Sequence, residues 1–193
     1  SYRQALKYKP NYANAHYNLG ITLRAQGNLN AAISSFQQAI KHNTNYPEAH
    51  YNLGNALKEQ GDLSAAIASY QQALKLKSEH LKAHNNLGFT LQEQGDLSAA
   101  IASFQQAIKY KPDFPIAHYN LGVVLEKQAD LRAAIASFKQ AIKLKSDYPE
   151  AHYNLGLVQQ KQADLKAAIS SFQQALKLKP NFPEAHNNLG NTL

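Results

Sequence analysis

The stretch AHYNLG, Ala15 to Gly20, decides the reading of this chain. It returns as AHYNLG at Ala49–Gly54, Ala117–Gly122 and Ala151–Gly156, and as AHNNLG at Ala83–Gly88 and Ala185–Gly190. The spacing is 34 residues each time, without insertion. Fixed self-similarity at such a period is the mark of a solenoid, in which each unit buries its apolar face only against its neighbours. The 193 residues therefore read as one array, although length alone would also allow two domains.

Within the unit Ala13 to Tyr46, two helices follow from the pattern. Ala15, Leu19, Thr22 and Leu23 fall at helical spacing, predicting a first helix over Ala13 to Gln26. Pro47, Pro115, Pro149 and Pro183 open its equivalents, where a missing amide donor costs nothing. Gly27, Gly61 and Gly95 close it as left-handed caps. Ala129 and Ala163 replace that glycine, so those turns should be more constrained or should continue helically for a residue. Asn28, Asp62, Asp96, Asp130 and Asp164 come next, placed to accept from the free amides of the second helix. That helix spans about Leu29 to His42, with Ala32, Ile33, Phe36, Ala39 and Ile40 on one face. Six further glycines, from Gly20 to Gly190, sit inside the first helices. A mid-helix glycine costs about 1 kcal/mol against alanine, so its recurrence implies close approach of the paired helix. Phe36, Tyr70, Phe104, Phe138 and Phe172 are the bulky partners expected there.

Composition narrows the function. There is no cysteine, hence no disulfide, thiolate nucleophile or cysteine metal site. That fits a reducing compartment, and a cytoplasmic protein is the expectation. No apolar run could span a bilayer. The chain opens within one repeat and closes within another, and so reads as a piece of a longer array with partial repeats over 1–12 and 183–193. The formal charge is +7, and eleven of the twenty basic residues occupy two repeat positions. One runs Lys7, Lys41, Lys75, Lys109, Lys143, Lys177; the other runs Lys9, Lys77, Lys111, Lys145, Lys179. Both lie near helix C-termini, where cations complement the dipole. We read them so, with RNA binding along a lysine ladder as the weaker reading.

No catalytic constellation is present in the pattern, and no cofactor is expected. His16, His50, His84, His118, His152 and His186 recur in register. Equivalent residues of stacked helices lie roughly 8–10 Å apart, too far to share a zinc that needs nitrogen at about 2 Å. They read as packed inter-repeat histidines. A second stripe on the first helix faces away from the expected core. It comprises Tyr17, Tyr51, Asn85, Tyr119 and Tyr153; then Asn18, Asn52, Asn86, Asn120 and Asn154; then a variable position holding Ile21, Asn55, Phe89, Val123 and Leu157. A row of asparagines can hold an extended peptide by its backbone, with tyrosine adding flat contact area. Alternatively, the asparagines bond across the joints between repeats. The variable position is where ligand selectivity is expected.

The 34-residue pattern closely resembles the tetratricopeptide repeat. The leucine–glycine pair at Leu19 and Gly20, the Ala32, Phe36 and Ala39 positions and the proline near the unit's end carry the resemblance. It covers five full units (13–46, 47–80, 81–114, 115–148, 149–182) and both partial ones. The family's usual tryptophan is His16 here, and its frequent tyrosine is Leu23, which becomes Gln159 in the fifth unit. That glutamine should weaken local packing or mark a special contact. The resemblance implies an all-α, right-handed superhelix of antiparallel helix pairs, with first helices lining a concave groove. It also implies a protein–protein interaction scaffold rather than an enzyme. The asparagine row is similar to that inside the superhelix of the O-linked N-acetylglucosamine transferase, so a substrate-recruiting arm of a larger enzyme is the alternative. The lysines and arginine with which family members clamp chaperone tails are replaced by Tyr and Asn. Ends without capping helices are expected to self-associate.

Overall fold

A computed structural model describes residues 2–193, apart from the side chain of Arg3. The described residues form twelve α-helices and no strand, in two compact units that divide between Asp96 and Leu97. The first unit holds α1 (Tyr2–Tyr8), α2 (Ala13–Ala25), α3 (Leu29–His42), α4 (Pro47–Gln60), α5 (Leu63–Leu76) and α6 (Leu81–Gln94). The second holds α7 (Leu97–Tyr110), α8 (Pro115–Lys127), α9 (Leu131–Leu144), α10 (Pro149–Lys161), α11 (Leu165–Leu178) and α12 (Pro183–Thr192). In each unit a helix packs first on its neighbour in sequence, and first helices also touch the next first helix, as α2 does α4 and α8 does α10.

The helix boundaries follow local chemistry. Prolines stand in the first turn of α4, α8, α10 and α12. Gly27, Gly61 and Gly95 take the left-handed conformation at φ 76°, 93° and 95°. Ala129 and Ala163 hold the same turn at φ 63° and 61° rather than extending the helix. The turn is constrained because the capping bonds survive: Asp130 N–H still reaches Leu125 O at 3.0 Å, and Asp164 N–H reaches Gln159 O at 3.0 Å. The left-handed backbone costs an L-residue roughly 1–2 kcal/mol.

Asp62, Asp130 and Asp164 cap the second helices, accepting from Ala65, Ala133 and Ala167 at 2.9, 3.1 and 3.1 Å. Asn28 makes no such bond, against the sequence expectation. A neutral amide gains only the bond itself at that place, whereas the carboxylates at the equivalent positions also gain from the helix dipole.

The core is built from the alanines and rings of the second helices. Phe36, Tyr70, Phe104, Phe138 and Phe172 are fully buried. Within their own units, four of these rings lie against the glycine of the paired first helix. A methyl group at Gly20, Gly54, Gly122 or Gly156 would lie 2.7, 2.6, 2.7 or 2.6 Å from the ring of Phe36, Tyr70, Phe138 or Phe172. The glycines are thus set by interhelical distance, as the mid-helix recurrence predicts. At Gly190 such a methyl meets nothing within 4 Å.

Candidate functional site: the first-helix face

The tyrosine and asparagine positions are joined to each other between successive repeats. Asn52 Nδ2 donates to the Tyr17 hydroxyl at 3.0 Å, and Asn86 Nδ2 donates to the Tyr51 hydroxyl at 3.2 Å. In the second unit Asn154 reaches Tyr119 and Asn188 reaches Tyr153, each at 2.9 Å. The tyrosine rings are half-buried. Each leans on the aromatic that precedes the next first helix: Tyr17 on Tyr46, Tyr51 on His80, Tyr119 on Tyr148, Tyr153 on Phe182, with centroids 4.8–5.0 Å apart. Burial, the largest cause, raises the pKa of Tyr17, Tyr119 and Tyr153. Each of these phenols is therefore protonated at neutral pH, accepting from asparagine while keeping a proton of its own.

Two asparagines use both amide hydrogens inside the fold. Asn52 Nδ2 also donates to Glu48 O at 3.0 Å, and Asn86 Nδ2 to Asn55 Oδ1 at 2.8 Å. In each of these asparagines the carbonyl oxygen takes no part in those bonds. Asn18 and Asn85 are half-buried, whereas Asn120 is only 8% exposed.

The variable position splits. Ile21 and Phe89 stand 41% and 39% exposed. Val123 and Leu157 are half-buried. Asn55 is turned inward at 8% exposure, accepting from the Tyr70 hydroxyl at 2.8 Å as well as from Asn86. Asn55 stands in the only full repeat that carries tyrosine in place of the core phenylalanine. Its polarity serves that buried hydroxyl.

One turn further along the first helices, charges pair across repeats. Arg24 holds Glu59 through a bidentate contact, 2.6 Å at its shortest. Lys58 lies 3.2 Å from Glu93, with its ammonium 3.9 Å from the centroid of the Phe89 ring. In the second unit the polarity reverses, with Lys161 on Glu126 at 2.6 Å. A cavity of about 400 Å³ lined by Ile21, Arg24, Ala25 and Glu59 opens beside the first pair. Sequence reading missed these pairs, although positions 24 and 59, 58 and 93, and 126 and 161 all differ by 35.

The histidines fasten the turns. Nε2 of His16, His84, His118, His152 and His186 lies 2.7–3.3 Å from the carbonyl oxygen six residues earlier, and donates to it. Among the described residues no group of three or more His, Asp or Glu converges on a point where a metal could sit. The second lysine row covers the turn aromatics: Lys9, Lys111, Lys145 and Lys179 lie 4.5–6.0 Å from the rings of Tyr12, Phe114, Tyr148 and Phe182. Lys77 and Lys179 also approach Glu48 and Glu150 at 3.7 and 3.6 Å. Gln159, the departure in the fifth repeat, makes a special contact: buried, it accepts from Ser171 Oγ at 2.7 Å. The equivalent Ser35, Ser69, Ser103 and Ser137 donate instead to backbone carbonyls four residues back.

Stacked antiparallel helix pairs with a 34-residue period define each unit as an α-solenoid. The chain belongs to the tetratricopeptide repeat family: TPR repeat models match residues 1–23, 20–61, 54–95, 91–128 and 130–163, and the tetratricopeptide repeat model matches 149–182. Solved structures share the fold. YrrB, described as a TPR protein with an unusual peptide-binding site, is 19% identical over 97% of each chain, with a TM-score of 0.82. MamA from Desulfovibrio magneticus RS-1 is 24% identical over 87% of this chain and 95% of its own, with a TM-score of 0.81. TTC0263, a thermophilic TPR protein of Thermus thermophilus, is 23% identical over 93% and 98%, with a TM-score of 0.67. No curated protein sequence matches the chain. No helix among the described residues is long and apolar enough to cross a membrane.

Proposed function

We propose that this chain is a protein-interaction scaffold whose first-helix face takes an extended peptide or a partner helix. Ile21 and Phe89 carry the reading: apolar side chains stay exposed on the face where tyrosine and asparagine are held rigid. A fixed polar row beside an accessible apolar position suits a ligand read partly by backbone and partly by side chain. Preorganisation also lowers the entropy lost on binding. Asparagine carbonyls such as Asn52 Oδ1 would accept peptide N–H groups, while Ile21 and Phe89 within the first unit, and Val123 and Leu157 within the second, would select side chains. YrrB, which shares the fold, is described as having a peptide-binding site, and this supports a peptide as the class of ligand.

The test is selection from displayed random peptides, followed by calorimetric titration of the winners against the parent chain, F89S and N86A, each checked by circular dichroism. Loss of binding in both folded variants supports the face. Peptides that bind all three equally place the interaction surface elsewhere.

A further inference from the structure

Arginine takes carboxylates on a planar fork with two edges, Nε with Nη2 and Nη1 with Nη2. Arg24, on α2, spends only the first. Glu59 of α4 occupies that edge, its two oxygens 3.0 and 3.1 Å from Nε and one of them 2.6 Å from Nη2. Among the described residues nothing accepts from Nη1. Glu59 thus fixes the plane of the guanidinium and leaves its outer edge open, with the Arg24 side chain 32% exposed.

Space for a ligand lies beside it because of one small residue. The position of Ala25 holds Glu59, Glu93, Lys127 and Lys161 in the following repeats, so Ala25 alone brings no long charged side chain there. Ala25 is exposed, and the cavity of about 400 Å³ that it lines is bounded also by Ile21, Arg24 and Glu59. Its wall is apolar along Ile21 and Ala25 and cationic at Arg24. No other repeat offers this set. Lys58, the counterpart of Arg24, has no second edge, and its ammonium is already held 3.2 Å from Glu93 and 3.9 Å from the centroid of the Phe89 ring. The remaining counterparts, Gln92, Glu126 and Gln160, carry no positive charge.

We infer that the outer edge of Arg24 is a subsite for the carboxylate of an acidic side chain within a bound peptide. The inference rests on the first-helix face being a peptide site and names what one stretch of that peptide carries. The incoming carboxylate meets a guanidinium already ordered by Glu59, so little side-chain entropy is lost on binding. The charge of Glu59 opposes it, which holds a short probe to weak, millimolar binding. In an extended peptide, side chains two residues apart point to the same side, roughly 6.6 Å from each other. Ile21 lies one helical turn from Arg24, so an apolar residue two places from the acid reaches Ile21.

The probe is N-acetyl-Leu-Ala-Glu amide, whose only carboxylate belongs to a side chain. In an NMR titration of the parent chain it should shift the Arg24 Nε–H resonance and the Ala25 amide saturably. The same peptide with Gln in place of Glu should bind about tenfold more weakly. So should the Glu peptide to R24K, which keeps the charge but has no fork, with circular dichroism confirming its fold. Equal binding of the two probes, or undiminished binding to R24K, would overturn the inference. A Gln probe with a free C-terminal carboxylate that binds as tightly as the Glu probe would overturn it too, since the fork would then read a chain end. Displayed peptides that lose binding to F89S and N86A, yet bind R24K as they bind the parent, overturn the subsite and leave the groove reading standing. A Glu probe that binds as expected while no displayed peptide does so overturns the groove reading and leaves the carboxylate site.

Discussion

The hydroxyl of Tyr70 donates to Asn55 Oδ1 at 2.8 Å across the interior of the second repeat. Both residues depart from their repeat positions, which hold Ile21 and Phe36 in the first unit. Y70F should cost about 1 kcal/mol, the net worth of one internal hydrogen bond. N55I leaves the buried hydroxyl without its acceptor and should cost about 2 kcal/mol. The double variant restores the pairing of the first repeat, so its loss should fall short of the sum by about 1 kcal/mol. Urea titration of the four proteins measures the coupling, and strict additivity would show that the bond carries none.

Glycine to alanine should have opposite signs at two equivalent positions. At Gly54 the new methyl would meet the buried Tyr70 ring at 2.6 Å, and overpacking costs about 1–3 kcal/mol. That outweighs the gain of up to about 1 kcal/mol in helix propensity. At Gly190 only the propensity gain remains, so G190A should be neutral or slightly stabilising. Thermal melts of the two variants compare them.

Ala129 and Ala163 hold positive φ without glycine's freedom. A129G and A163G should each raise stability by about 0.5–1 kcal/mol, since relief of the left-handed cost exceeds the added entropy of the unfolded chain. The converse change, G61A, should destabilise by a similar amount. Denaturant midpoints decide it.

Burial lowers the pKa of His50, His80 and His84; at His80 the Lys77 charge adds to this and Glu48 opposes it. The folded state therefore holds fewer protons on these imidazoles than the unfolded state below the usual value of about 6.5. Stability rises with pH where the unfolded state binds more protons. The urea midpoint should accordingly fall as pH drops from about 7.5 to about 5.5. Imidazole resonances followed by NMR should place these three midpoints below about 6.5, and values at or above it would contradict the assignment.

The period, the helix boundaries and the glycine rule were legible in the sequence because each depends on one chain position and its local backbone. Pro47 starts a helix, Gly61 ends one and Gly54 admits a ring for reasons that recur in other repeats. That the asparagine row bonds across the joints between repeats was one of two sequence readings and is what the structure shows; that the partner is a tyrosine hydroxyl was not legible. The partners lie 35 residues earlier, and a repeat position read alone does not reveal a bond between two different positions. The variable position shows the same limit. Asn55 reads as a groove residue by register, yet turns inward because Tyr70 brings a hydroxyl into the core that must find an acceptor. Register placed the side chains on their helices; only the packed neighbours decided which face water and which spend their hydrogen bonds on one another.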